Sequence, residues 1–233
     1  MGEHVKLILF SFAIALHAGA SDYYVSTAGD DANDGSEANP WKTIQHAADT
    51  VVAGDTVHVR GGTYAEQISI AKSGSQQDGY ITFQNYAGET PIIDGGSLTP
   101  GDSQSALILI QDRSYVKIRG FEICNFRTDS QASVPCGIFV TGHGSHLQIV
   151  DNPVHHIENN NVNKDGGNAH GIAVYATDGA SSINNLTVSG NTVRDCKLGW
   201  SESMVLNGNV EIFTVSGNAV HDNDNIGIDL IGY

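Results

Sequence analysis

The stretch Asn185–Cys196, NLTVSGNTVRDC, decides the fold because it recurs. YVKIRGFEICNF begins at Tyr115, HLQIVDNPVHHI at His146 and IFTVSGNAVHDN at Ile212, all aligning without gaps at intervals of 31, 39 and 27 residues. A constant unit joined by variable connectors marks a repeat architecture. One column holds Val116, Leu147, Leu186 and Phe213, the next Ile118, Ile149, Val188 and Val215, with Lys117, Gln148, Thr187 and Thr214 between them. Period two of this kind is a strand with one face buried. A Gly or Asp then precedes Asn152, Asn191 and Asn218, and Val154, Val193 and Val220 follow, which reads as a bend and a second short strand. Ahead of each block lies a third: Leu107 and Leu109, Ile138 and Val140, Ile172 and Val174, Met204 and Leu206, with Ile228 and Leu230 beginning a fifth copy. One such unit cannot bury its own apolar side, whereas stacked units share a core. The expected fold is therefore all-β, a parallel β-helix (solenoid) with coils about 4.8 Å apart. Asn152, Asn191 and Asn218 should form a side-chain ladder and themselves take the left-handed backbone of the bend. A β-sandwich suits the variable gaps poorly, because hairpin connections are short.

Outward from the repeat, Trp41, Ile44, Ala47, Ala48 and Val51 have helical spacing within Pro40–Val52, and Gly54 follows. That pattern predicts a short amphipathic helix capping the open end of the stack. Thr56–Val59, Tyr80–Gln84 and Pro91–Asp94 are the expected first strands. The run Asp30 to Gly35 lacks the spacing of a calcium loop and reads as a turn before the helix. At the start, Leu7–Leu16 is apolar and Ala18-Gly19-Ala20 supplies small residues, so residues 1–20 are expected to be a signal peptide. The β-helix domain is then 21–233, expected to be truncated at its C-terminus because the chain stops directly after a strand. A secreted protein meets an oxidising compartment, where Cys124 and Cys136 are candidates for a bridge.

The chain has 233 residues, with 11 Lys and Arg against 26 Asp and Glu, a net charge of −15. That charge excludes nonspecific nucleic-acid binding and adsorption to anionic membranes. A polyanionic substrate would need a bound cation or a local basic patch. No phosphate-binding loop and no serine nucleophile elbow occurs.

The segment YYVSTAGDDANDGSEANPWKTIQHAADTVVAGDTVHVRGGTY near the start, and LNGNVEIFTVSGNAVHDNDNIGIDLIGY from Leu206 to Tyr233, resemble secreted right-handed β-helix proteins of the pectate lyase L type, polysaccharide lyase family nine. The resemblance implies a right-handed coil and calcium-dependent β-elimination of an acidic polysaccharide such as pectate. It also implies an Asp-Asp-x-x-Asp calcium cluster where this chain reads Asn225-Ile226-Gly227-Ile228-Asp229, of which only Asp229 matches. The lysine base implied by the resemblance falls beyond Tyr233.

Among the chain's own residues, Glu202, Asp222, Asp224, Asn225 and Asp229 are the candidate Ca²⁺ ligands, since that ion takes several hard oxygens. His155, Arg194 and His221 share one outward column and are candidates for gripping carboxylates or for proton transfer, with Lys197 on the next turn. His170 is a candidate for lining the groove beside Glu202, and Tyr175 and Trp200 for stacking on sugar rings. Candidate catalytic residues are thus Lys197, Arg194, His170 and His221, and candidate substrate contacts His155, Arg194, Tyr175 and Trp200. Two other readings stand beside the lyase: a noncatalytic carbohydrate-binding or surface β-helix, and a glycoside hydrolase using Glu202 and Asp229.

Overall fold

The computed structural model describes residues 19–161 and 167–232. The expected signal peptide lies almost wholly outside the described residues. Three long parallel sheets wind around one core, beside a two-stranded parallel sheet of Arg127–Thr128 and Glu158–Asn159. The first joins Asp22–Val25, Thr56–Val59, Ile81–Asn85, Val116–Arg119, Gly144–Val150, Ile183–Ser189 and Val210–Ser216 in that order. The second joins Gly62–Tyr64, Pro91–Asp94, Glu122–Cys124, Pro153–His155, Thr192–Arg194 and Ala219–His221. The third joins Ile68–Ser69, Ser103–Gln111, Ser133–Thr141, His170–Ala176, Met204–Gly208 and Ile228–Ile231. Every ladder within these sheets is parallel, and each strand pairs with its counterpart one coil away, so the fold is a parallel β-solenoid. No helix among the described residues is long and apolar enough to cross a membrane.

The ladders follow the gapless block alignment. Leu147 faces Val116 and Leu186, and Leu186 faces Phe213. Asn152, fully buried, donates its amide to Asn191 Oδ1 at 3.0 Å, and Asn191 donates to Asn218 Oδ1 at 3.0 Å. Each Asn also donates to the backbone of the coil before it, at Ile118, Ile149 and Val188. The left-handed residue of the bend, however, is the one before each Asn: Asp151, Gly190 and Gly217 have φ of 56°, 68° and 63°, and Gly120, before Phe121 in the same column, has φ of 75°. A second left-handed column runs through Asn125, His156, Asp195 and Asp222, and a third through the opening residues Tyr115, His146, Asn185 and Ile212. Asn and Asp tolerate this conformation because a short polar side chain bonds locally; Ile212, at φ 51°, carries the strain without that relief.

Three expectations need correction. The helix is shorter than predicted, Ile44–Thr50, because Thr43 caps it through a bond from the His46 amide, and Asp31 holds the Lys42 and Thr43 amides in turn. Trp41 is buried but precedes the helix, stacked on Tyr23. In the coil before the first block, Ile108 and Ile110, not Leu107 and Leu109, stand in register with Ile138 and Val140. The run Ala106–Ile110 is apolar throughout, so alternation gives no phase there. Finally, Cys124, Cys136 and Cys196 are all buried free thiols. Cys124 ends a strand of the second sheet and Cys136 lies in the third, so no bridge joins them.

Candidate functional site

The outward face of the third sheet gathers more of the predicted residues than any other surface described. Alternation alone does not place them, because two consecutive residues turn inward here. Ile138 belongs to the main core, and a Cβ on Gly137 would sit 2.6 Å from Val154 Cγ1, inside the coil. Gly171 and Ile172 repeat this one coil on, where a Cβ on Gly171 would meet Val193 Cγ1 at 2.4 Å. The double inward step recurs at the same place in neighbouring strands, so the ladder keeps its register while the side chains beyond it change face together. Cys136 and Phe139 therefore both point outward, as do His170 and Ala173 above them, in a second apolar cluster with Ala106 and Val205.

His170 begins its strand just before the double inward step, and Glu202 lies just ahead of the next strand. The imidazole is 2 % exposed. Its Nδ1 donates to the Glu202 carbonyl at 3.1 Å, with the Glu202 carboxylate oxygen 3.7 Å away. A carbonyl only accepts, so Nδ1 carries the proton and Nε2 is bare. Nε2 therefore accepts from the Tyr175 hydroxyl at 3.0 Å. Tyr175 reaches back five residues along its own strand because Ala173, between them, is too small to block the ring, which packs edge-on to Phe139 at 5.5 Å. Burial pushes His170 down from 6.5 to about 4, against the pull of its bond to the Glu202 carbonyl. Burial, then the charge of Glu202, pushes Tyr175 up to about 12. At neutral pH the pair is an uncharged phenol bonded to an uncharged imidazole, with a carboxylate behind it. That is a nucleophile-or-acid, base and orienting-group line of the kind used for proton transfer.

The other predicted residues lie elsewhere. Asp229 faces Val205 on the same outward face as Tyr175, in a different column from Glu202. Asp224 Oδ1 accepts the Leu198 amide at 2.7 Å, Asn225 donates to the Gly199 carbonyl at 2.9 Å and Asp222 holds His221 at 2.7 Å. These side chains stitch the turn to the coil below it. Among the described residues, Glu202, Asp224 and Asp229 do not come within mutual ligand reach, so they do not fit one Ca²⁺ ion. Trp200 is 70 % exposed on the turn after Gly199.

His155, Arg194 and His221 do stack in one ladder, as their column requires, but on the second sheet. Each is compensated locally: His155 by Glu122 at 3.1 Å, Arg194 by Asp195, and His221 by Asp222. They form no free cationic strip and no common groove with Tyr175. Lys197 Nζ donates to Asn160 Oδ1 at 3.0 Å and shares Glu158 with Arg127. What sequence reasoning missed was the Tyr175–His170 bond. Its only sequence signal is the pair Gly137-Ile138 and Gly171-Ile172 at equivalent places in successive coils.

Residues 23–192 match the family described as Pel9A-like, right handed beta helix region. The chain is 44 % identical over 217 residues to the uncharacterized protein YwoF of Bacillus subtilis, covering 92 % of this chain and 45 % of that one. It is 37 % identical over 136 residues to pectate lyase PEL9 of Emericella nidulans, covering 54 % of this chain and 32 % of the relative. The chain thus spans less than half the length of these relatives. Among solved structures, the GH136 lacto-N-biosidase of Eubacterium ramulus superposes with a TM-score of 0.70 at 18 % identity, over 90 % of this chain and 43 % of the other. At that identity the likeness concerns fold.

Proposed function

The chain belongs to the Pel9A-like right-handed β-helix family, and from that premise we propose that it is a secreted protein acting on an acidic polysaccharide by β-elimination along the outward face of the third sheet. Its kinship with a pectate lyase supports the substrate class, and the Leu7–Leu16 run followed by small residues supports export. The observation that carries the chemistry is the line from Glu202 through His170 to Tyr175.

Elimination breaks the C–H bond beside a uronate carboxyl and the C–O bond of the glycosidic link. A carbon–carbon double bond forms, and the proton ends on the departing oxygen. The Tyr175 hydroxyl takes the carbon-bound proton while passing its own to His170 Nε2. The imidazolium so formed faces the Glu202 carboxylate, 3.7 Å away. Because burial holds the His170 pKa at about 4, it returns that proton readily, through Tyr175, to the leaving oxygen. Tyr175 itself does not ionise near neutrality, so the two transfers are concerted. The resemblance implies calcium; the carboxylates of Glu202, Asp224 and Asp229 stand apart from one another, and no step here runs through the ion.

The test is an ultraviolet assay for unsaturated uronide on uronic-acid and neutral polysaccharides. Tyr175→Phe, which keeps the ring, should lower the rate by at least about 100-fold with retention of polysaccharide binding. Reducing ends released without ultraviolet absorbance would mean hydrolysis and would overturn the proposal. Binding with neither product would make the chain a carbohydrate-binding module.

A further inference from the structure

The second sheet carries a cluster that the polysaccharide reading leaves unused. Glu122 and Cys124 lie two residues apart on one strand and so project from the same face. His155 sits directly over Cys124 in the ladder, one coil on. Register places Pro153 opposite Glu122, because Val154 pairs with Ile123, and the proline ring leaves the carboxylate free to lean toward the histidine. His155 Nε2 meets Glu122 Oε1 at 3.1 Å, and the Glu122 oxygen, the Cys124 sulfur and a His155 nitrogen all lie within 4.8 Å of one another. Cys124 is 3 % exposed and His155 9 %, while the Glu122 side chain is 32 % exposed and opens the cluster to solvent.

We propose that Glu122, Cys124 and His155 form a binding site for a zinc-like divalent transition metal, with a fourth position open to solvent. A tetrahedral ion with Zn–N and Zn–O bonds of about 2.1 Å and a Zn–S bond of about 2.3 Å separates its ligand atoms by about 3.5 Å. Glu122 and His155 already stand 3.1 Å apart and the Cys124 sulfur lies within 4.8 Å of both, so side-chain rotations bring the three donors to that spacing. A thiolate and an imidazole select a borderline or soft ion and are the wrong donors for Ca²⁺ or Mg²⁺. One thiolate and one carboxylate balance the charge of the ion.

The surroundings are those of a metal-binding histidine. His155 Nδ1 lies 2.7 Å from His156 Nδ1, on the side of the ring away from Glu122. When Nε2 binds the ion, Nδ1 carries the proton and donates it to His156, which fixes tautomer and ring plane. Asn125 donates to the Cys124 sulfur at 3.3 Å and to Asp94 at 3.2 Å, placing an amide against the thiolate. Without metal, burial and the charges of Asp94 and Glu122 push the Cys124 thiol up to about 11. Binding near neutral pH therefore displaces the thiol proton, one per ion.

The measurement is a titration of the purified, metal-stripped chain with Co²⁺, followed through the near-ultraviolet thiolate-to-cobalt charge-transfer band and the visible ligand-field bands. The expected result is one ion per chain, displaced by Zn²⁺ and unaffected by excess Ca²⁺. The charge-transfer band should vanish in Cys124→Ser. His156→Ala, which removes only the positioning partner, should weaken binding by about 10- to 100-fold while keeping the band. Glu122→Gln, at a partly exposed position, serves if the serine variant does not fold; it should weaken binding at least about tenfold. Absence of the band in the wild type, its survival in Cys124→Ser, or unchanged affinity in folded Glu122→Gln would overturn the site. None of these outcomes depends on polysaccharide cleavage.

Discussion

His170 should make the protein acid-sensitive in a window set by its burial. Its pKa is about 4 in the folded chain against an ordinary 6.5. As pH falls through 6.5 the unfolded chain takes up a proton that the folded one refuses until about 4. Stability from this group is therefore complete above 6.5, lost progressively down to 4, and not lost further below. The difference of 6.5 − 4 pKa units corresponds to about 3 kcal/mol, with no discount for solvent because the side chain is 2 % exposed. The groups facing the ring are the Glu202 carboxylate, the Tyr175 hydroxyl and, in the ladder below, Cys136. His170→Gln cannot take up the proton but still offers an oxygen to the Tyr175 hydroxyl. Urea unfolding of both proteins at several pH values between about 7 and 4 isolates the histidine, because every other titrating group except those touching it is common to both. The variant should start less stable, having lost the bond to the Glu202 carbonyl, and the difference should shift by about 3 kcal/mol in the variant's favour over the window. Stability profiles that stay parallel would refute the reasoning, since they would mean that the imidazole charges as easily inside the fold as outside it.

Asn191→Ala removes the middle rung of the ladder, stranding the Asn152 amide and the Ile149 carbonyl inside the coil. It should cost about 3 kcal/mol, read as a lower urea midpoint. Ile212→Asn should do the opposite, because Ile212 is 72 % exposed and holds φ at 51°; replacing it should raise stability by about 1 kcal/mol. A thiol-reactive chromophore should label none of the three cysteines in the native protein and all three in denaturant without reductant. A count of one in denaturant would instead mean a disulfide.

The register was legible because the four blocks align without gaps, and the structure stacks Val116, Leu147, Leu186 and Phe213 as that alignment requires. The same information failed wherever alternation broke. At Ala106–Ile110 an unbroken apolar run carried no phase: Leu107 is in the core as expected, but Ile108 and Ile110 rather than Leu109 join it there. At Gly137 and Gly171 two consecutive inward residues reversed the phase, bringing His170 and Tyr175 onto one face although their separation of five residues would put them on opposite faces of a regular strand. Asp224 and Asn225 illustrate a different limit. Carboxylates and amides that ligate calcium also satisfy the backbone of a tight turn, and residue type does not say which. The solenoid uses them for the second purpose, bonding the Leu198 amide and the Gly199 carbonyl. Glu122, Cys124 and His155, by contrast, were already adjacent in the block alignment: Cys124 and His155 share a column, and Glu122 lies two places before Cys124 on the same face. In a solenoid, donors that share a face on neighbouring rungs are held about 4.8 Å apart by the backbone. A sulfur, an imidazole nitrogen and a carboxylate meeting there depend on no loop conformation, and for that reason this cluster is a stronger ligand set than the richer but scattered acidic turn.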